Sequence, residues 1–218
     1  MIYFQLLGLE FEMPEKIILG LKTIFATTKN WLFLRFKDDI KLNIGAGGTK
    51  IDGYINVDSL LLRNTELISN IKYLQYFVKN GSVSDIYASH ILEHFSAKEV
   101  RNILRLLFNL LEDGGKLRIS VPDLDKIVTI YSKNFDYFHQ EGVPPWIGPI
   151  YGGQSTKYDF HKTGFNLTWM THLLKEAGFK KIEEYDAVKF CTEHNIIDSS
   201  LYKKPFDEFI SLNIIATK

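Results

Sequence analysis

The sequence is poor in cysteine, in net charge and in long apolar runs, and each absence narrows the class of protein. Cys191 is the only cysteine among 218 residues, so no disulfide can form within the chain and a reducing cytoplasm is the expected compartment. The 26 Lys and Arg residues balance 26 Asp and Glu residues and form no basic stripe. We therefore expect no nucleic-acid partner, because such partners call for an excess of positive charge.

The length and the apolar pattern favour one main domain with added segments. No apolar run approaches the ~18 residues of a membrane span, and the N-terminus lacks the pattern of a signal peptide. We divide the chain into an N-terminal helical extension, residues 1–39, and a main domain, residues 40–218. The extension is expected to cover a sheet face, to close over a ligand or to form a homodimer contact. Its predicted amphipathic helix rests on apolar residues at helical spacing: Ile17, Ile18, Leu21, Ile24 and Phe25.

A glycine-rich segment between two apolar stretches is the most informative feature of the chain. A predicted strand at residues 41–44 runs into Gly45-Ala46-Gly47-Gly48, and a second stretch at 54–57 ends on Asp58. Glycines after a strand let the backbone turn sharply and let a ligand lie against the main chain. An acid after the next strand can accept hydrogen bonds from ribose hydroxyls. The pattern predicts a nucleotide-type cofactor, and its spacing, shorter than the ~20 residues of a dinucleotide-binding unit, leaves little room for a helix.

Further strands alternate with a helix. Strands are predicted at residues 67–68, 83–88 and 116–121. Ser96 and Glu99 form the capping box of a helix whose apolar spacing extends to Leu111, and Gly114-Gly115 are expected to end it. Such alternation predicts parallel β-α-β units, in which ligands bind at the carboxyl ends of the strands. That edge would carry Gly45, Asp58, Asn70, Ser89, His90 and Asp123.

Four segments resemble a known family. They are LNIGAGG at 42–48, GYINVD at 53–58, IYASHILEH at 86–94 and LEDGGKLRISVPD at 111–123. They are similar to the small bacterial, class I S-adenosylmethionine-dependent methyltransferases often found in surface-polysaccharide gene clusters. The resemblance covers roughly residues 40–186 and resumes at the last strand, 211–216. It implies an α/β fold: a Rossmann-like, doubly wound, seven-stranded sheet that is mostly parallel, with an antiparallel last strand.

The resemblance also implies a cofactor site for S-adenosylmethionine. The glycine turn would hold the methionine part, Asp58 the ribose and Asn70 the adenine, although many relatives carry Asp at the position of Asn70. The cofactor-binding residues implied in this way are Asn43, Gly45, Ala46, Gly47, Asp58, Asn70, Ile71, Ser89 and His90.

An insertion at about residues 135–165 is expected to bind the acceptor. It combines aromatic residues with polar ones, which suits a small polar acceptor such as a sugar, a nucleotide-linked group or a phosphate or phosphoramidate. His161 is the first candidate for a catalytic base and His90 the second, whereas an anionic acceptor would need no base. The substrate-binding candidates are Asp123, Tyr158, Asp159 and Lys162, with His194 or Asp198 reaching the same cleft from a polar loop at 191–200.

Residues 90–94 also spell H-x-x-E-H, a zinc-protease signature when it lies within a helix. Here the pattern follows a strand end, the helix cap comes later at Ser96, and no third ligand is evident in the sequence. We therefore expect no metal and activity that is independent of zinc.

The function expected from the sequence is O-methylation of a small polar acceptor in capsule or other surface-polysaccharide biosynthesis. One alternative is an NAD(P)-dependent oxidoreductase or epimerase, but Lys50 stands where a G-x-G-x-x-G motif needs its third glycine. A second alternative is a catalytically silent module that keeps the cofactor-binding fold.

Overall fold

The computed structural model describes residues 2–6, 9–13, 34, 37–143, 147–201 and 207–218. Within these ranges, the strands form a two-stranded hairpin and a seven-stranded sheet. The hairpin pairs β1 (Ile2–Leu6) with β2 (Leu9–Met13) in antiparallel fashion. The strands of the large sheet are β3 (Ile40–Ile44), β4 (Ile55–Asp58), β5 (Leu67–Ile68), β6 (Val83–Ser89), β7 (Leu111–Pro122), β8 (Lys181–Glu184) and β9 (Ser211–Thr217).

The large sheet has the order β5-β4-β3-β6-β7-β9-β8. Neighbours among β3 to β7 are parallel, whereas β9 is antiparallel to both β7 and β8. This confirms the predicted seven-stranded, Rossmann-like sheet with an antiparallel last strand. Residues 45–54 form turns rather than a helix, which confirms the short first connection. The carboxyl ends of β3, β4, β5 and β6 consequently lie side by side at one edge of the sheet.

Helices and short 3-10 turns occupy the connections. No helix among the described residues is long and apolar enough to cross a membrane. The helices are α1 (Ala97–Leu110), α2 (Leu124–Lys133), α3 (Phe135–Phe138), α4 (Ile147–Tyr151), α5 (Leu167–Ala177) and α6 (Ala187–Glu193), and the 3-10 turns are Ile71–Tyr76, Leu92–His94 and Ser199–Leu201.

Helix α1 begins as predicted but ends earlier. The Ser96 hydroxyl accepts from the Glu99 amide and the Glu99 carboxylate accepts from the Ser96 amide, so the capping box is complete. The helix buries Val100, Ile103, Leu104, Leu107 and Leu110 against the sheet. The expectation that Gly114 and Gly115 end it was wrong, because Leu111 is already extended and begins β7. An apolar residue at position 111 fits the helical repeat, but its burial in the sheet determines the conformation.

Two other expectations about segments also need revision. Cys191 lies in helix α6 rather than in a polar loop, because Asp186 caps that helix and Ala187, Phe190 and Cys191 bury one face of it. The insertion contains the short helices α3 and α4. The predicted helix and dimer contact around residues 17–25 lie outside the described residues, whereas the described part of the extension is the hairpin.

Candidate functional site

A cavity of about 320 Å³ opens at the carboxyl ends of the parallel strands. This volume lies at the lower end of the range of small-molecule sites. Strand ends supply Gly45, Asp58, Asn70 and His90, and the inserted segment supplies Tyr158 and Lys162. The cavity therefore joins the predicted cofactor edge to the predicted acceptor-binding insertion.

Gly45 makes the sharp turn after β3. Its φ is +68°, a region that L-residues with side chains rarely adopt. A Cβ atom at this position would lie 2.6 Å from Cδ1 of Ile91 and 3.2 Å from its Cβ. Both the backbone angle and the space therefore require glycine, and the bare backbone borders the cavity.

The Asp58 carboxylate organises this turn. Its two oxygens each accept one backbone hydrogen bond at 2.9 Å, from the amides of Gly47 and Leu60. A carboxylate has about four acceptor positions, so two bonds leave capacity for the hydroxyls of a ligand. Asp58 lines the cavity at the end of β4, the position expected for a ribose-binding acid.

Asn70 and Ile71 follow β5 and form another wall of the cavity. The Oδ1 atom of Asn70 accepts from the Lys72 amide at 3.1 Å and caps the 3-10 turn. Its Nδ2 group donates to no other described residue, so two N–H donors remain for a ligand. Ile71 adds a buried apolar surface beside them.

Several candidates from the sequence lie outside the residues that line the cavity. Asn43 is buried, and its amide donates to the Thr49 carbonyl at 3.1 Å and to Asn56 at 3.0 Å, so it braces the turn. Asp123 caps α2, accepting from the Asp125 amide at 3.1 Å. The other candidates away from the cavity wall are Ala46, Gly47 and Ser89 beside the strand ends and Asp159 and His161 in the insertion.

The Asp159 carboxylate bonds within its own loop and not to the nearby His161. Its carboxylate accepts from the hydroxyl of Ser155 at 2.8 Å and from the amide of Gly153 at 3.3 Å. These bonds, led by the Ser155 hydroxyl, outweigh burial and lower the pKa of Asp159. Asp159 therefore shapes the loop that carries His161.

His194 and Asp198 do not reach this cavity either. His194 caps α6, where its Nδ1 lies 2.9 Å from the carbonyl of Phe190. Asp198 accepts from the Tyr87 hydroxyl at 2.6 Å, and burial, followed by the neighbouring Tyr185 and Asp198, raises the pKa of that tyrosine. His194 thus packs on the rings of Tyr54 and Phe190, whereas Asp198 bonds to Tyr87 and Ser200.

Backbone hydrogen bonds join the insertion to the turn after β6. The amides of Lys162 and Thr163 donate to the Glu93 carbonyl at 2.7 and 3.3 Å. The Thr163 hydroxyl donates to the Phe95 carbonyl at 2.7 Å. As a result, His161 lies against His94, with their ring centroids 5.1 Å apart.

His90 and His161 differ in the nitrogens that they leave available. His90 Nε2 lies 2.8 Å from the Ser211 hydroxyl and its Nδ1 lies 3.1 Å from a Glu93 carboxylate oxygen, so both nitrogens are engaged. His161 Nδ1 lies 3.2 Å from the Pro149 carbonyl, and its Nε2 has no hydrogen-bond partner among the described residues. Burial lowers the pKa of His161, which favours the neutral ring. His161 is therefore better suited to accept a proton.

Glu93 is a functional candidate to which sequence reasoning gave little weight. Its side chain is 1% exposed, and neither carboxylate oxygen accepts a hydrogen bond from the described residues. The 3.1 Å contact with His90 is close enough for an ion pair, although it falls outside hydrogen-bond geometry. Burial acts to raise the pKa of Glu93, but the neighbouring His90 and His94 outweigh it and the pKa is lowered. Glu93 is thus a buried carboxylate that favours its charged form.

Comparison with known proteins gives a result at the level of the fold. No protein-family model and no curated protein sequence matches the chain. Among solved structures, a SAM-dependent methyltransferase from Archaeoglobus fulgidus is 13% identical with a TM-score of 0.50, over 94% of each chain. The 1,6-didemethyltoxoflavin-N1-methyltransferase from Burkholderia thailandensis, solved with that compound and S-adenosylhomocysteine, is 14% identical with a TM-score of 0.51, over 95% of this chain and 91% of that chain. The chain thus has the Rossmann-like fold of these methyltransferases.

Proposed function

We propose that the protein transfers a methyl group from S-adenosylmethionine to an oxygen atom of a small polar acceptor. The observation that carries this proposal is one cavity lined by both the nucleotide-type edge and the polar insertion. The methyltransferase-like fold adds support but does not identify the reaction, because one fold hosts many functions.

The cofactor would lie along the carboxyl ends of β3 to β6. The backbone of the Gly45 turn would contact the methionine part, Asp58 would accept from the ribose hydroxyls, and the Asn70 amide would donate to adenine beside Ile71. The sulfonium methyl is already electrophilic, so the protein chiefly has to align the acceptor and exclude water.

The acceptor would lie on the side of the insertion. Tyr158 offers an aromatic wall and a hydroxyl, and Lys162 offers a positive charge for an anionic group. In the metal-free protein, His161 would take the proton of an acceptor hydroxyl through Nε2. The resemblance in the sequence supports a sugar or phosphate-containing precursor of surface polysaccharide as the acceptor class.

One feature of the sequence fits the alternative of a nicotinamide-dependent enzyme. Tyr158 and Lys162 have the Tyr-x-x-x-Lys spacing expected of such oxidoreductases. The structure places both in an irregular loop, where residues four apart do not share a helix face. A binding experiment therefore has to compare the two cofactors directly.

Calorimetric titration with S-adenosylmethionine, S-adenosylhomocysteine and NAD tests the proposal. We expect the first two to bind and NAD not to bind. Asp58→Ala should weaken binding by on the order of 1.5–3 kcal/mol, or roughly 10- to 150-fold, because a charged acceptor is lost. Asp58→Asn removes the charge at constant size and should also weaken binding.

Asp52→Ala is the matched control, because the Asp52 side chain is 98% exposed on the connection that ends at β4. This variant should bind S-adenosylmethionine like the unaltered protein. Preference for NAD, or equal affinity in the Asp58 and Asp52 variants, would refute the assignment. Binding of the cofactor without methyl transfer to any acceptor tested would favour the catalytically silent module.

A further inference from the structure

Glu93, His94 and His161 form a cluster with the composition of a metal site. One potential ligand atom from each residue lies within 4.8 Å of the other two. Glu93 and His94 belong to the 3-10 turn after β6, whereas His161 comes from the insertion. The backbone bonds from Lys162 and Thr163 to the Glu93 carbonyl hold the two segments together. The cluster is therefore built by tertiary structure and does not depend on one local motif.

The hydrogen bonds of both histidines leave the same nitrogen, Nε2, available as a ligand. His94 Nδ1 lies 3.3 Å from the Phe160 carbonyl, and His161 Nδ1 lies 3.2 Å from the Pro149 carbonyl. A carbonyl can only accept, so each Nδ1 carries the proton and a neutral ring has its lone pair on Nε2. Neither Nε2 has a hydrogen-bond partner in the described part of the chain. A backbone carbonyl behind each ring is the usual support of a metal-binding histidine.

The buried Glu93 carboxylate is the second, independent observation. It is 1% exposed and lacks hydrogen-bond donors among the described residues, and His90 Nδ1 lies 3.1 Å from one of its oxygens. A buried carboxylate without hydrogen-bond donors is unfavourable unless a positive charge faces it. A bound cation would supply that charge.

We propose that Glu93, His94 and His161 bind a divalent transition-metal ion, for which zinc is the best match. Two imidazoles and one carboxylate are a known zinc ligand set that leaves a fourth position open, whereas magnesium prefers oxygen ligands. Atoms bound to one zinc ion lie roughly 3–3.5 Å apart, given bonds of about 2.0–2.2 Å. The three side chains would therefore move inward by an ångström or so. Because His94 lines the cavity, the ion would border the acceptor.

This arrangement differs from the zinc-protease signature in the sequence. That signature would pair His90 with His94, whereas His90 is held by Ser211 and Glu93. The expectation of a metal-free protein rested on the lack of a third ligand, and the fold brings His161 to that position. In the loaded protein, His161 would be a ligand, and an acceptor hydroxyl bound to the ion would lose its proton to water more easily.

Metal binding by the full-length protein tests the proposal without any assay of activity. Protein stripped with a chelator is titrated with Zn²⁺ by calorimetry, and Co²⁺ is added separately to record its visible spectrum. We expect one ion per chain and a cobalt spectrum typical of mixed nitrogen and oxygen ligands. His161→Gln and Glu93→Gln should each weaken Zn²⁺ binding at least 10- to 100-fold. Loss of a group that only hydrogen-bonds to a metal ligand already has an effect of that size, and these two residues would be ligands themselves.

His172→Gln is the matched control, because the His172 side chain is 61% exposed on α5 and does not belong to the cluster. It should leave Zn²⁺ affinity unchanged. Circular dichroism verifies the fold of each variant, and His161→Gln alone decides the question if Glu93→Gln does not fold. Less than one ion per chain, or equal affinity in the His161 and His172 variants, would overturn the proposal. S-adenosylmethionine binding is measured separately, so this result does not depend on the proposed function.

Discussion

Replacing Gly45 by alanine should harm both stability and cofactor binding, and the two physical causes can be separated. The first is the backbone, since a φ of +68° is unfavourable for any residue with a Cβ atom. The second is space, since the new Cβ would lie 2.6 Å from Cδ1 of Ile91 and 3.2 Å from two further Ile91 atoms. Rotation of the terminal methyl group of Ile91 would relieve the 2.6 Å contact with Cδ1 but would leave the two contacts at 3.2 Å in place.

The size of each effect follows from general values. The left-handed conformation costs about 1–2 kcal/mol for alanine, and overpacking a filled site adds typically 1–3 kcal/mol. We therefore expect Gly45→Ala to lower the free energy of unfolding by about 2–5 kcal/mol. Gly53 provides the control because its φ is +83° but nothing lies within 4 Å of a Cβ built there. Gly53→Ala should show the backbone cost alone, about 1–2 kcal/mol.

Urea unfolding of the two variants, with S-adenosylmethionine titration of each folded protein, measures the difference. Gly45→Ala should be the less stable variant and should bind the cofactor more weakly, because its displaced backbone borders the cavity. If Gly45→Ala is no less stable than Gly53→Ala and binds the cofactor equally well, the tight approach of Ile91 is not a constraint and the reasoning fails.

Two further predictions concern single side chains. His161→Ala should lower turnover by roughly 10²–10⁴ with little change in S-adenosylmethionine affinity, measured with the true acceptor, and near-normal turnover would leave His161 a packing residue. Hydrogen bonds from the Ser96 amide, then from the Ser96 hydroxyl and Lys72, lower the pKa of Glu99 from 4.5 to about 2. The contribution of the Glu99 carboxylate to stability is therefore present above pH 4.5 and is lost as the pH falls through about 2. NMR titration should find this low value and a partial return toward 4.5 in Ser96→Ala, which removes the hydroxyl but keeps the amide. An ordinary value in the unaltered protein would contradict the capping box.

The parts of the fold that were predictable from sequence have local causes. Ser96 and Glu99 satisfy each other within one helical turn, so their spacing alone predicts the start of α1. Gly45 follows β3 and Asp58 ends β4, and parallel pairing of these consecutive strands brings the two residues to one edge. The α6 helix had a similar local signal, the Asp186 cap followed by buried residues at helical spacing, which sequence reasoning overlooked.

The parts that were not predictable depend on contacts between distant segments. Asn43 follows the pattern of a cofactor-contacting residue, but its partner Asn56 becomes apparent only once the strands pair. Backbone hydrogen bonds bring His161 to Glu93 and His94. Nearly every residue carries the same backbone groups, so the residue types do not reveal these bonds. Leu111 fits a helix and a strand equally well, and burial in the sheet decides between them.

The position of β9 has a consequence for synthesis of the protein. This strand comes after β7 and β8 in the chain but lies between them in the sheet. While the chain leaves the ribosome, the edge of β7 that later pairs with β9 is unpaired, and among the described strands β8 pairs only with β9. Open edges can pair with other chains, and elongation at about 5–20 residues per second prolongs the exposure. We infer that the nascent protein passes through an aggregation-prone stage that ends when residues 211–217 close the gap.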